Sequence, residues 1–526
     1  LVAEIDGYSS PCALAGRRLE AAIGHGLGRF KGDVTRDGDI EGHWIQPDGT
    51  MIGSYASPVF LKRKAAGLWA GDIKPLEDVA DMFLVVSKTQ DGSLSAFLRN
   101  PERNLGIFLK ASKLDVQGEQ VRVLDSSGKQ LATGSYDSDN QVLALYFPAD
   151  ALALAFTRVD QNNASDFRPR PTWAQSYQYV RPRSLADGWD VAGLKDEGLS
   201  ASMAKRFIQG VIDAPDVSVH SLNPQAILLA RNGKLVLEEY FHGYSVDRPH
   251  DTRSAAKSIT SVLAGIAMDR DPSLKLSTPI VSVLKKRTKI DLSDPRKRRI
   301  TVQNLLTMSA GLDCDDHDPK SPGNEDTMQS QTKDKDYYHY AINQRMVFEP
   351  GEKAVYGSAL PNLLGGVIST KTGMWLPEFF RDYFARPLDI EDYYLPLQPT
   401  GEAYMGGGMF LKPRDFLKLG QLMLNGGTWH GRRVISKRYV EEASKPRYGL
   451  EGVKYGFFWW VIDYPFRGST LRAYYAAGNG GQVVMVIPKL KMVFECLAGN
   501  YSDKVMFQFQ REWVPKYVLP MVESSK

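Results

Sequence analysis

Residues 167–183 contain Phe-Arg-Pro-Arg-Pro-Thr-Trp and, a few positions later, Tyr-Val-Arg-Pro-Arg. No helix or strand runs through such a stretch, because each proline fixes φ and lacks an N–H to donate. The hydrophobic patterning differs on its two sides, so a domain boundary is placed here, with an N-terminal domain over 1–175 and a second over 176–526. A chain of 526 residues is also too long for one ordinary core, which independently asks for two domains or more.

Between about residue 39 and residue 160, short alternating runs are broken by the turn pairs Asp48-Gly49, Asp91-Gly92 and Ser127-Gly128. Phe83-Leu-Val-Val-Ser87, Leu94-Ser-Ala-Phe-Leu98, Gly106-Ile-Phe-Leu-Lys110 and Val121-Arg-Val-Leu124 have strand length. They predict an antiparallel all-β domain, a sheet or a barrel. Ile40-Glu-Gly-His-Trp44 and Gly67-Leu-Trp-Ala-Gly71 resemble the Gly-x-Trp openings of lipocalin-like barrels. This domain shows no triad or metal set, so its expected roles are to wall a cleft, to support a homo-oligomer or to dock a partner.

Beyond the boundary helices and strands mix. A helix is predicted over 202–212, then Ala226-Ile-Leu-Leu-Ala230 and Lys234-Leu-Val-Leu-Glu238 as strands turned by Asn232-Gly233. Gln482-Val-Val-Met-Val-Ile487 and Lys491-Met-Val-Phe-Glu-Cys-Leu497 follow as late strands, with a closing helix over 505–518. Early and late strands around central helices predict an α+β domain whose sheet gathers both ends. Lys and Arg number 65 against 61 Asp and Glu, a formal charge of +4 with no basic block, so no nucleic-acid partner is expected. No apolar run reaches the roughly 18 residues of a membrane span, and no integral membrane segment is expected. Cys12, Cys314 and Cys496 are too few and too scattered for a disulfide or metal framework.

Three constellations carry chemistry. Ser254-Ala-Ala-Lys257 opens a run of helical period; positions i and i+3 share a helix face, which brings the Lys257 amine to the Ser254 hydroxyl. A serine attacks only when a base takes its proton, and the free N–H groups of a helix start favour the developing negative charge. Taken alone, a serine at a helix start is more often an N-cap. Tyr356 and Ser358 follow the turn Phe348-Glu-Pro-Gly-Glu352. A phenol beside an ammonium can lose its proton well below the usual value and relay it, although a tyrosine in isolation usually just packs its ring. Ala477-Gly-Asn-Gly-Gly-Gln482 precedes an apolar strand; its glycines let backbone approach a ligand, and they equally suit a hairpin turn.

In this order, Ser-x-x-Lys, Tyr-x-Ser and a glycine-rich element before a strand resemble the serine β-lactamase and penicillin-binding-protein superfamily, particularly its class C β-lactamase-like esterases and peptidases. The resemblance extends over about 183–519. It includes Leu228-Leu-Ala-Arg-Asn-Gly-Lys-Leu-Val-Leu-Glu-Glu-Tyr240, Ile300-Thr-Val-Gln-Asn-Leu-Leu-Thr-Met-Ser-Ala-Gly-Leu312, Gly407-Gly-Met-Phe-Leu-Lys-Pro-Arg-Asp-Phe416 and Asn425-Gly-Gly427 with Gly431. It implies a β-lactamase-like fold and a serine hydrolase acting on a small ester or amide, with Ser254 as nucleophile and Lys257 and Tyr356 as general base and acid. It places Ser358 near the lysine and substrate, and it gives the oxyanion to the Ser254 N–H with Asn479 or Gly480. Such a mechanism uses no metal or organic cofactor. Because residue 1 is Leu rather than Met, a leader outside the sequence and export to the periplasm or medium are further expectations drawn from the resemblance.

One departure bears on the substrate. β-Lactamases and transpeptidases carry Lys-Thr-Gly on the strand lining the cleft, where this chain has Gly478-Asn479-Gly480. The missing cation favours an ester or small-amide substrate over a β-lactam or wall peptide. A D-amino-acid peptidase and a non-catalytic ligand-binding sensor remain alternatives; against the sensor, Ser254, Lys257 and Tyr356 are all intact. The polar residues 313–340 read as a mobile loop that sets acyl-chain length and stereochemistry. No Gly-x-Ser-x-Gly elbow and no His-Glu-x-x-His pair is present, and His242, His250 and His317 are read as packed or solvated imidazoles.

Overall fold

The protein is described by a computed structural model over residues 2–5, 7–47, 53–76, 80–159, 166–171 and 174–523. The Asp48-Gly49 turn lies outside these residues, as do Asp160, Thr172 and Trp173.

Downstream of the proline-rich stretch, a nine-stranded sheet forms the centre. Its order is Asp190–Val191, Lys234–Tyr240, Pro224–Arg231, Met492–Ala498, Gln482–Ile487, Ser469–Gly478, Trp460–Phe466, Val453–Tyr455 and Tyr448–Leu450. Pairing of Ile227 with Cys496 joins an early strand to the last one, as the patterning predicts. Asn232 and Gly233 both adopt positive φ, +52° and +83°, the conformation a two-residue hairpin turn demands. Alternation along Pro224–Arg231 sends Ile227 and Leu229 to one face, where Ala201–Ile212 and the C-terminal helix cover them, and Ala226, Leu228 and Ala230 to the other. Ala201–Ile212 starts where the Ser200 hydroxyl accepts the Met203 N–H at 3.3 Å, an N-cap that satisfies one orphan donor.

On the second face, Pro413–Leu424 lies close to the sheet through Gly420, where a Cβ would come 2.5 Å from Val493 Cγ1. Lys257–Arg270 packs beside Ala359–Thr372, and residues 257–267 are all buried. The closing segment departs from the regular helix the sequence predicts. A 3-10 turn, Lys504–Phe507, leads into a π-wound helix, Phe509–Val518, which carries Pro515; a residue without an N–H breaks the regular ladder and goes with a wider winding.

The N-terminal strands are antiparallel and divide between two sheets, but Gly106–Leu109, expected as a strand, is a short helix closed by Lys110 at φ +51°. Seven strands from Phe83–Lys88 to Leu152–Thr157 follow one another in chain order. The earlier strands, Val2–Ile5 to Tyr55–Ala65, also pair in order, but their sheet continues across the proline-rich boundary. Tyr55–Ala65 pairs with Tyr393–Pro396, Ala56 opposite Leu395, and the sheet goes on through Phe410–Leu411 to His250–Asp251. His43 Nε2 lies 2.9 Å from the Tyr393 hydroxyl, Trp375 meets the His43 ring edge-on at 5.5 Å, and Arg18 pairs with Glu378. The second sheet is fixed by Arg99, 1% exposed, whose guanidinium lies 2.9 Å from Asp216. Among the described residues no helix is long and apolar enough to cross a membrane, and Cys12, Cys314 and Cys496 are unpaired.

Candidate active site

The strand His250–Asp251, last in the sheet that begins at the N-terminus, runs directly into the turn Arg253–Ala256. Arg253 has φ +47°, a left-handed conformation that costs a non-glycine residue on the order of 1–3 kcal/mol. Its surroundings hold it there. The Arg253 N–H donates to Asp251 Oδ1 at 2.8 Å, its guanidinium lies 3.0 Å from the same carboxylate, and its carbonyl accepts the Gly408 N–H at 3.3 Å. The consequence is local: Ser254 sits in a tight turn immediately before the buried helix, with its side chain half-exposed.

Lys257, the first residue of that helix and 2% exposed, donates from Nζ to Ser254 Oγ at 2.8 Å and to the Gly406 carbonyl at 2.5 Å. Its ammonium also lies 5.0 Å from the centre of the Tyr356 ring. That ring stacks on Trp460 at 6.0 Å and meets His317 at 5.8 Å, and Lys257 and Ser254 both favour the ionised form of its hydroxyl. The three groups predicted to meet are therefore together. Ser254 and Tyr356 line a cavity of about 400 Å³ whose wall includes Trp460, Tyr475, Met506 and Arg511, and Lys257 is buried behind them.

Burial alone would lower the Lys257 pKa, but Tyr356, Glu325 and Asp316 around it outweigh that and hold it above its ordinary value. Burial also raises the Tyr356 phenol, against the downward pull of Lys257 and Ser254. This reverses the low phenol pKa expected from an adjacent ammonium: loss of water costs the phenolate more than the lysine returns.

The remaining predicted residues are placed differently. Ser358 is fully buried, and its N–H and hydroxyl both donate to Asp316 Oδ2, at 2.8 and 2.7 Å, so its side chain serves Asp316 and does not reach the cavity. Gly480, with φ +95°, directs its N–H to Met506 Sδ at 3.3 Å and is buried as well. Asn479 lines the cavity, and its Oδ1 accepts the Ser502 N–H at 2.8 Å. The glycine in closest approach to the Ser254 turn is Gly478, where a Cβ would lie 2.5 Å from the Thr252 carbonyl and 3.0 Å from the Ala255 nitrogen. The Ser254 N–H has no backbone partner among the described residues.

Sequence reasoning did not single out Asp316, Gly406 or Trp460. Asp316 lies in the segment expected to be a mobile loop, which is instead cross-bonded throughout. Asn324 Nδ2 donates to the Asp316 carbonyl at 2.9 Å, Ser321 to Asp313 at 2.7 Å, and the Glu325 N–H to Asp316 Oδ1 at 2.9 Å. Burial, with Glu325 beside it, pushes the Asp316 pKa up to about 6. The signal for Gly406 was available in the three successive glycines 406–408. His317 flanks Tyr356 at the cavity, whereas His242 and His250 are buried away from it, their basicity lowered chiefly by burial.

Comparison with known proteins gives three findings. The family model described as Beta-lactamase matches residues 220–498. A 6-aminohexanoate-dimer hydrolase of Paenarthrobacter ureafaciens is 25% identical over 230 residues, 41% of this chain and 56% of the relative, so the match spans little more than half of that relative's length. Among solved structures, EstCE1, a hydrolase with promiscuous acyltransferase activity, is 18% identical with a TM-score of 0.46, covering 61% of this chain and 99% of its own. A penicillin binding protein from Bacillus halodurans is 17% identical with a TM-score of 0.42, covering 55% and 95%.

Proposed function

We propose that this chain, which belongs to the beta-lactamase family, is a serine hydrolase that cleaves a small ester or amide through an acyl-enzyme at Ser254. The observation that carries this reading is the 2.8 Å hydrogen bond from Lys257 Nζ to Ser254 Oγ, beside Tyr356 and open to a cavity. The family relative named as a 6-aminohexanoate-dimer hydrolase supports hydrolysis as the reaction.

In the proposed sequence, Ser254 Oγ attacks the substrate carbonyl carbon as its proton passes to the Lys257 and Tyr356 pair. The oxyanion faces the unpartnered Ser254 N–H, with the Asn479 backbone as the second donor, since the Gly480 N–H is engaged by Met506. Tyr356 protonates the leaving atom, and water then reverses the steps to release the acid. Lys257 and Tyr356 share their titration, so the working base is the pair with one proton removed. That form becomes more abundant as pH rises, because both groups are held above their ordinary values.

No lysine stands where the Lys-Thr-Gly cation would be, and Gly478 lies against the turn in its place, which supports esters and small amides over β-lactams. Mass spectrometry after treatment with an activated phosphonate tests the reading. One phosphonyl increment is expected on the unaltered chain and none on Ser254→Ala, with kcat for p-nitrophenyl esters lowered on the order of 10³-fold or more by Ser254→Ala or Lys257→Ala. A folded chain that takes up no label would favour a ligand-binding protein.

A further inference from the structure

Ser254 opens onto a second cavity, of about 630 Å³, that shares no other lining residue with the first. Its wall is more polar and is assembled from both halves of the chain: Arg29 from the strand Arg29–Val34, and Lys335, Asp326, Glu325 and Tyr404 from the helical region.

The chemistry assigned to Tyr356 decides which half of a substrate each cavity takes. A leaving atom must lie within reach of the group that protonates it. Tyr356 lines the aromatic cavity and not the polar one, so the departing half occupies the aromatic side. The acyl half, which stays bonded to Ser254 Oγ, extends into the polar cavity. There the charges are unevenly committed. Arg253 is neutralised by Asp251, and Glu325 accepts the Tyr404 hydroxyl. Among the described residues, the exposed side chains of Arg29 and Lys335 make no ion pair or hydrogen bond, so their donors are uncommitted, while of the two carboxylates on the same wall Glu325 keeps its charge but is engaged by Tyr404 and Asp326 is unpaired. A guanidinium offers two parallel donors that fit a carboxylate.

We propose that the polar cavity is the acyl-group site and that it takes an acyl chain ending in a carboxylate, held by Arg29 of the N-terminal sheet. This rests on Ser254 being the nucleophile, and it gives the N-terminal strands a task in substrate choice.

The test uses the full-length protein and three p-nitrophenyl phosphonates whose phosphorus carries a butyl, a carboxybutyl or an aminobutyl chain. Covalent labelling of Ser254 is followed by p-nitrophenolate release and mass spectrometry, so deacylation is not required. The carboxybutyl reagent should label fastest, after subtraction of its background hydrolysis. Arg29→Gln should lower the carboxybutyl-to-butyl rate ratio about tenfold, Arg29→Glu should lower it further, and Arg29→Lys should restore part of it, as expected for a charge-assisted contact. A ratio unchanged within twofold in Arg29→Gln, or fastest labelling by the aminobutyl reagent, overturns the acyl-site assignment while leaving Ser254 as nucleophile. Absence of Ser254 labelling by all three removes the hydrolase reading and this inference with it.

Discussion

Asp316 is bonded to the backbone at and just after Tyr356: its N–H donates to the Tyr356 carbonyl at 3.0 Å, and its carboxylate receives both donors of Ser358. It therefore holds the backbone that carries the phenol, and its charge raises Lys257. Replacing that charge should lower the pKa of the Lys257 and Tyr356 pair, so in Asp316→Asn the rising limb of the kcat/KM profile should move to lower pH. A limb left in place would count against the assignment. Stability has its own sign. Between the ordinary 3.8 and about 6, the folded chain retains a proton that the unfolded chain has released. This group's contribution thus falls as pH rises through that window, and thermal melts of Asp316→Asn should lose that part of the slope. The contact of Lys257 with Ser254 was legible in the sequence because an i, i+3 spacing is local geometry. Asp316 was not, because a polar residue in a lysine- and aspartate-rich run reads as solvated, and only tertiary packing places it under a distant tyrosine.

At the level of elements, the glycine-rich segment is both things the sequence allowed: the turn between Ser469–Gly478 and Gln482–Ile487, and a wall of the cavity. Its pressure point is Gly478, since a methyl there would meet the Thr252 carbonyl at 2.5 Å and push on the Ser254 turn from the sheet side. Gly478→Ala should reduce the phosphonate labelling rate by about 10²-fold, the scale expected for a misplaced nucleophile, while the melting temperature falls only slightly. Equal labelling rates would show that the turn tolerates the shift. The central strands were readable because alternation and the Asn232-Gly233 turn are strong signals. The π-wound C-terminal helix was not, since its apolar spacing resembles that of an ordinary helix and Pro515 only reveals a break once the neighbouring carbonyls are placed.

Over the whole molecule, the proline-rich stretch divides the sequence more sharply than it divides the structure. Hydrophobic alternation identifies strands but says nothing about which distant strand will complete a sheet, so the pairing of Tyr55–Ala65 with Tyr393–Pro396 could not be read in advance. Removing residues 1–175 would bare the edge of Tyr393–Pro396 and uncover Tyr394 and Phe410, which pack with Tyr55. Such a chain should run as aggregates in size-exclusion chromatography and should not label at Ser254; a monodisperse, labelled product would show that the second half stands alone. The same shared sheet also constrains how the protein is made. His43 leaves the ribosome 350 residues ahead of Tyr393, so the first strands spend most of translation with an apolar edge awaiting its mate. That is a long-range closure of the slow, aggregation-exposed kind, in which an open strand edge waits on a partner from the far half of the chain.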